Sequence, residues 1–350
     1  MNRPQETILS HPWPERNPPK KLLAIRLRAL GDTVITLPYL QALRSILPAT
    51  EFHFVTREEF ADLPRNLKMF DKVYGVEGEF DIGRQFMSAA FLVPKLQKEK
   101  YDVVIDLQRN LLTRTIRRML FPRSYSEFDR FSLNSAGDRT RATINKAGFA
   151  PLPEMLARLD LRENDRGLGK LKGAGHEPGK KLVVLNPAGN FGTKSWPIES
   201  YRRFAEGWIS TVDSNVQFLM LGVERLREKS KYLEEKLGKR VINLVGKTTL
   251  SEAFNILRQA ELVISEDSGL MHMAWVAQVP VVALFGSSRS TWSRPLGTSS
   301  ACLNSSDLEC GECLQPTCRF GDVHCLTRYS PEFVVETAKK LLAQRVRINN

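Results

Sequence analysis

The chain has 350 residues, 42% of them hydrophobic and 26% charged. That is globular composition, too long for one small binding module and suited to two domains of ordinary size. Lysine and arginine outnumber aspartate and glutamate by 51 to 39, a formal net charge of +12, so an acidic partner is expected among nucleic acids, anionic lipid surfaces and phosphorylated small molecules.

Residues 1–20 are Pro-rich and lack the apolar stretch and small-residue cleavage site of a signal peptide, so they read as a flexible leader on a cytoplasmic protein. Lys21 to Leu27 then reads as a short buried strand, and Asp32 to Ile46 as a helix with Leu37, Leu40 and Leu43 at helical spacing. Strands over Glu51 to Thr56, Val73 to Val76 and Tyr101 to Leu107 alternate with helices over Phe86 to Lys98 and Leu111 to Leu120. This alternation predicts a parallel sheet covered by helices. A charged, Gly-rich stretch, 166–180, reads as a linker between an N-terminal domain, 21–165, and a C-terminal domain, 181–330. The second domain repeats the alternation, with strands at Lys181 to Leu185, Gln217 to Leu221, Val241 to Leu244, Leu262 to Ser265 and Val281 to Phe285. A Cys-rich loop, 302–325, follows, and residues 331–350 form a closing helix with Pro331 in its first turn. No apolar run approaches the ~18 residues of a membrane span. The nearest, Ala274 to Gly286, is broken by Gln278 and Pro280.

In such α/β domains ligands gather beyond the carboxyl ends of the strands, which directs attention to three turns. In the first, Arg28 to Thr33, Gly31 allows close backbone approach and Asp32 opens the helix; taken alone, Asp32 reads as an N-cap. The second, Ser265 to His272, places Ser268 and Gly269 at a helix start, where N–H groups and the helix dipole favour a phosphate. His272, one turn on, faces the same opening or packs as an ordinary helix histidine. The third, Asn186 to Pro197, holds Lys194 in a Gly-rich loop suited to a diphosphate, without Walker or dinucleotide spacing.

The segments IRLRALGDTVITLPYLQALR, GTKSWPIESYRRFAE, LVISEDSGLMHMAWVAQVPVVALFG and CGECLQPTCRFGDVHCLTRYSPEFV, in this order, make the chain resemble the family 9 glycosyltransferases, the bacterial lipopolysaccharide heptosyltransferases. The Cys-rich tail looks most like the heptosyltransferase II branch. The resemblance implies a GT-B fold of two Rossmann-like, doubly wound domains facing a cleft, with the acceptor on the N-terminal half and the nucleotide sugar on the other. It casts Asp32 as general base, in place of a mere cap. It assigns Gly31, Thr193 and Lys194 to the donor and its diphosphate, and Asp267 to sugar hydroxyls. Phosphate falls to Ser268, Gly269 and Leu270 with His272 close by, and the nucleoside pocket to Gly222, Glu224, Lys247 and Thr248.

The implied reaction is inverting displacement at the anomeric carbon of ADP-heptose, a co-substrate, with no other cofactor. No Asp-x-Asp pair stands out to hold a divalent ion, so transfer is expected to need no metal. The acceptor is expected to be the anionic, lipid-linked inner core at the cytoplasmic face of the inner membrane, met peripherally, with Arg57, Arg114, Arg117, Arg118 and Arg123 as candidates for its phosphates. Each of these arginines reads equally as part of a solvated basic face. Cys310-x2-Cys313-x4-Cys318-x6-Cys325 fits either a tetrahedral zinc site or reduced, partly buried thiols, and Cys302 an ordinary buried position. Two rivals remain: a family 9 enzyme with another donor or acceptor, and a non-catalytic sugar-nucleotide-binding protein of the same fold. Nucleic acid is not expected as a partner, since no zinc-finger, RNA-recognition or basic-zipper signature is present.

Overall fold

The computed structural model describes residues 8–153, 159–162 and 166–349; the first seven residues of the expected leader, residues 163–165 at the expected boundary, and residue 350 lie outside the described residues. The chain divides into two units, Met1–Arg162 and Glu163–Asn350.

The first unit contains β1 (Ser10–His11), β2 (Lys21–Ile25), α1 (Leu30–Ile46), β3 (Glu51–Arg57), α2 (Asp62–Arg65), β4 (Lys72–Val76), α3 (Ile82–Glu99), β5 (Val103–Asp106), α4 (Leu111–Met119), β6 (Ser124–Glu127) and α5 (Ala136–Lys146). Its sheet runs β1-β6-β5-β2-β3-β4, parallel except for β1. The apolar runs of β2 and β5 are buried throughout, as central strands covered on both faces must be. Helices α3 and α4 share one core with Leu23, Ile25, Val55 and Val104, while α1 packs against α5.

The second unit contains α6 (Arg166–Gly173), β7 (Lys181–Asn186), α7 (Ile198–Thr211), β8 (Val216–Met220), α8 (Arg227–Leu237), β9 (Val241–Asn243), α9 (Leu250–Leu257), β10 (Leu262–Glu266), α10 (Gly269–Val276), β11 (Val281–Leu284), α11 (Ser290–Ser293), β12 (Ser300–Leu303), α12 (His324–Thr327) and α13 (Pro331–Asn349). Its sheet, β12-β11-β10-β7-β8-β9, is parallel throughout. Trp196, Tyr201, Phe204 and Trp208 fill the core beneath it with Val334, Val335, Ala338 and Leu341 of α13. Among the described residues no helix is long and apolar enough to cross a membrane.

Two expectations are corrected. From residue 8 onward the leader is not a loose tail: β1 adds antiparallel to the edge strand β6, and the Trp13 N–H donates to the Ala147 carbonyl at 2.9 Å. An edge strand offers unpaired backbone groups, and β1 satisfies them. The stretch expected as a linker begins with a helix, α6, which packs on α9 and holds Glu252 through the Lys170 ammonium at 2.6 Å.

Candidate functional site

Each sheet reverses its strand order at one gap, β2/β5 in the first unit and β7/β10 in the second. The connections leaving the two strands run toward opposite edges, which opens a crevice at their carboxyl ends.

In the first unit the turns beyond β2 and β5 are tied together: Gln108 Oε1 accepts from the N–H groups of Leu27 and Arg28, at 3.2 and 2.8 Å. Beneath them lies Asp106, whose carboxyl is pushed up in pKa by burial, against hydrogen bonds from the Arg109 N–H (2.8 Å), the Gln108 N–H (3.0 Å) and the Thr113 hydroxyl (2.9 Å). Helix α1 begins at Leu30, so Asp32 occupies its third position instead of capping it. Its carboxylate accepts from the Ala29 N–H at 3.2 Å and pairs with Arg26 at 2.8 Å. The Asp32 side chain is 37% exposed and that of Arg26 only 6%. Arg26 also donates to the Leu107 carbonyl and lies over the Phe128 ring at 4.9 Å. A solvent-facing carboxylate is thus oriented by an anchored guanidinium. Arg26 was not anticipated; its signal is a charge directly after an apolar strand.

Most arginines expected to meet acceptor phosphate are engaged within the protein. Arg57 is buried, pairs with Glu59 and lies between the rings of Phe60 and Phe80, at 5.1 and 5.0 Å; burial lowers its pKa. Arg117, also buried, meets the Glu127 carboxylate at 2.6 Å, alongside Arg114 at 2.9 Å and Arg109 at 3.5 Å. Burial raises the Glu127 pKa, but the hydrogen bond from Arg114 and the charge of Arg117 outweigh it and hold the carboxyl below its ordinary value. Arg123 pairs with Glu15 of the leader and covers the Trp13 ring. Arg118 stays exposed on α4.

In the second unit the loop after β7 and the turn after β10 meet at the gap. Lys194 closes a short 3-10 turn, Gly192–Lys194, and its ammonium lies 3.1 Å from Asp267 Oδ2, which also accepts from the Ser288 hydroxyl at 2.6 Å. Ser268 caps α10, accepting from the Met271 N–H at 3.3 Å, and its hydroxyl is held by Asn186 Nδ2 at 2.8 Å. Gly269 and Leu270 therefore form the first turn of α10, where N–H groups have no partner within the helix.

The clasp beneath this site was not anticipated. Glu266, fully buried at the end of β10, accepts from the backbone N–H groups of Gly189 and of Trp196, the latter at 2.6 Å. Burial pushes its pKa up to about 7, opposed by the charge of Lys229 and by those two N–H groups. Arg225 donates to the carbonyls of Ala188 (2.6 Å) and Gly189 (3.1 Å), and Lys229 to that of Pro187 (2.8 Å). Only glycine fits at 189: a Cβ there would stand 2.3 Å from the Lys194 carbonyl.

The other donor candidates divide. The Thr193 hydroxyl is buried, donating to the Gln315 carbonyl at 2.6 Å and accepting from Ser287 at 3.0 Å, so it pins the Cys-containing loop. His272 is buried within α10, the packed-histidine alternative. Gly222 and Glu224 lie against Gly246, the residue before Lys247 and Thr248: the Gly246 N–H donates to the Gly222 carbonyl at 2.8 Å, and a Cβ on Gly246, whose φ is +71°, would strike the Glu224 carboxylate. Glu224 itself is exposed and paired with Arg227.

Cys310, Cys313, Cys318 and Cys325 are free thiols that line, with Thr193 and Arg289, a cavity of about 470 Å³. Burial, then the neighbouring cysteines, push the Cys325 thiol up to about 11, and Cys302, half-buried in β12, rises to about 11 by burial. Among the described residues, Glu51, His53 and Glu99 alone bring three metal-ligating atoms within 4.8 Å of one another. Lys21 and Lys72 already neutralise that cluster, with Lys21 2.9 Å from Glu51 and both lysines 2.7 Å from Glu99.

Residues 138–324 match the description glycosyltransferase family 9 (heptosyltransferase). Lipopolysaccharide heptosyltransferase 1 of Pseudomonas aeruginosa is 25% identical, over 92% of this chain and 98% of its own. Lipooligosaccharide heptosyltransferase 2 of Campylobacter jejuni is 32% identical over 47% of this chain and 52% of its own, so there the match spans about half of each protein. The solved structure of the E. coli ADP-heptose LPS heptosyltransferase II shares the fold, with a TM-score of 0.72 at 18% identity over 93% of this chain and 99% of that one. With the family match covering more than half of the sequence, and with two parallel-sheet units of the GT-B kind, the chain belongs to glycosyltransferase family 9.

Proposed function

We propose that the protein transfers a heptose from ADP-L-glycero-D-manno-heptose to the inner core of lipopolysaccharide, with inversion and without a metal ion, at the cytoplasmic face of the inner membrane. The observation that carries this reading is the Lys194–Asp267–Ser288 set beside the N-terminus of α10, a cation, a sugar-hydroxyl acceptor and a phosphate-binding helix end at one switch point.

In this reading the donor diphosphate lies against the first turn of α10, where dipole and N–H groups favour an anion. Lys194 neutralises the charge that grows on the departing ADP, exchanging part of its pairing with Asp267 for the diphosphate. Asp267 then accepts hydrogen bonds from sugar hydroxyls, with Ser288 holding its second direction. Asp32, exposed yet oriented by Arg26, takes the proton from the acceptor hydroxyl as its oxygen bonds to the anomeric carbon and the bond to ADP breaks on the opposite face. Lys194 and the helix end supply the positive charge that a divalent ion supplies elsewhere, which supports the metal-free reading. Gly222, Glu224, Lys247 and Thr248 would receive the nucleoside. Thr193 and His272 act at one remove, by holding the loop and helix that carry the contacts.

Calorimetric titration with ADP, UDP and GDP, with and without EDTA, tests the donor. Selective ADP binding that survives EDTA is expected; UDP selectivity would move the donor elsewhere within the family, and loss of binding in EDTA would end the metal-free mechanism. Asp32→Ala is expected to lower turnover by about 10²- to 10⁴-fold while ADP still binds. Anomeric NMR of the product reads inversion directly.

A further inference from the structure

We infer that the outer face of helices α3 and α4 is a docking surface for an anionic lipid bilayer. The two helices lie side by side on one face of the first sheet. Ala89, Leu92, Val93 and Leu96 of α3 enter the same core as Leu112 and Ile116 of α4, and Gln97 Nε2 donates to the Met119 carbonyl at 2.8 Å. Their opposite sides therefore form a single outward surface.

That surface is unusually apolar for one facing water. Met87 and Phe91 of α3 and Leu111 of α4 are exposed on it, with Ile82 and Met119 exposed at the helix ends and Phe121 just beyond, Phe91 to 73% and Phe121 to 84%. Phe121 is held at φ +46°, a conformation that bulky residues rarely adopt, with its ring outside the fold. Grouped apolar exposure of this kind marks a contact surface.

Charge selects the partner. Between Ile82 and Lys98, and along all of α4, no acidic residue occurs, while Arg84, Lys95, Lys98 and Arg118 are exposed. Of the acids beside α3, Asp81 caps it and lies 3.7 Å from Arg84, and Glu99 is held by Lys21 and Lys72, while Glu77 and Glu79 stand exposed in the turn before it. Apolar side chains flanked by cations are the pattern of a helix face lying in an anionic lipid interface. A second copy fits poorly, since a two-fold contact through this face would set cations against cations. The inference deepens the proposed function and rests on it for its purpose: a lipid-linked acceptor requires an enzyme held at the bilayer.

Sedimentation with phosphatidylglycerol vesicles, against phosphatidylcholine vesicles, tests it on the full-length protein. Binding to the anionic vesicles that weakens with salt is expected. The triple variant Met87→Gln, Phe91→Gln, Phe121→Gln should lose at least tenfold in vesicle affinity. A second variant, Arg84→Gln, Lys95→Gln, Lys98→Gln, should lose a similar factor at low salt and show a flatter salt dependence. Phe333→Gln, an exposed aromatic in the second unit, should bind as the wild type. Equal binding by the two triple variants and the wild type, or no wild-type binding, overturns the inference, as does a wild-type dimer that the apolar variant dissolves. Transfer to a water-soluble, deacylated acceptor should be unchanged in the apolar variant. If wild type binds vesicles through this face but transfers heptose to no acceptor, the proposed function fails and the surface stands.

Discussion

Replacing Glu127 by glutamine isolates what the basic helix α4 is for. The carboxylate is buried and holds Arg117 at 2.6 Å, Arg114 at 2.9 Å and Arg109 at 3.5 Å; the side chains of Arg109 and Arg117 are almost wholly enclosed, whereas that of Arg114 is 31% exposed. Glutamine preserves shape and one acceptor oxygen but removes the negative charge, taking from the enclosed Arg117 guanidinium the carboxylate it pairs with at 2.6 Å. Breaking a buried pair in this way costs about 3–5 kcal/mol; Arg114 can turn to water and adds little. For a unit of this size each kcal/mol lowers Tm by about 2–4 °C, so the transition of the first unit should fall by about 6–20 °C in calorimetry. The cluster is also acid-sensitive. Because the Glu127 pKa is held below its ordinary value in the folded state, its contribution is complete above the unfolded pKa, about 4.3, and is lost as pH falls through the folded value. A shift under 2 °C for Glu127→Gln, together with an Arg117→Ala protein of normal stability and a raised acceptor KM, would refute the reasoning and return Arg117 to the acceptor site.

Three further outcomes are expected. Lys194→Ala should lower kcat by about 10²- to 10³-fold, as loss of one group stabilising transition-state charge does, with circular dichroism unchanged; a change confined to KM would show that Lys194 only binds. Thr193→Val should cost about 1–3 kcal/mol by leaving the Ser287 hydroxyl and the Gln315 carbonyl short of a buried partner, with the donor Kd unchanged, and a weakened Kd at unaltered Tm would place Thr193 in the donor site after all. The Glu266 pKa is raised to about 7 in the folded protein, so wild-type stability should fall relative to Glu266→Gln as pH rises from about 4.5 to 7 and level off above; a Tm difference flat across that window would show that the two backbone donors keep the carboxylate ionised throughout.

How far the sequence revealed these features depends on how local their causes are. The apolar runs of β2, β3 and β10 and the helix of α1 are set by spacing within a few residues, and their alternation was readable. β6 was not: its residues, Ser-Tyr-Ser-Glu, carry no apolar alternation, and the strand forms because it completes pairings with β5 on one side and β1 on the other. For the same reason the leader read as a tail, since its partner strand lies more than a hundred residues away. The turns holding Asp32 and Ser268 were legible because a glycine beside an acid or a hydroxyl at a strand-to-helix turn is itself a local statement. Their supports were not. Glu266 meets backbone groups 70 and 77 residues away, and Arg26 a carbonyl 81 residues away.

These supports nevertheless share a form that a sequence can show. Asp106, Glu127 and Glu266 each close a strand at its carboxyl end, Arg26 directly follows one, and all four are buried. A charge is costly inside a covered parallel sheet unless something meets it, and what lies beyond the strand end is a turn rich in unpaired backbone groups, the place where ligands bind. In each case the buried charge holds a turn or a helix beside that strand end: Glu266 the loop of Lys194, Arg26 the carboxylate of Asp32, Asp106 the turn of Gln108, Glu127 the arginines of α4. A buried charge at the carboxyl end of a strand therefore identifies the brace that keeps the turn beyond it in place. By this rule Arg26 and Glu266 were as discoverable as Asp32 and Lys194, through polarity at a position where polarity is expensive.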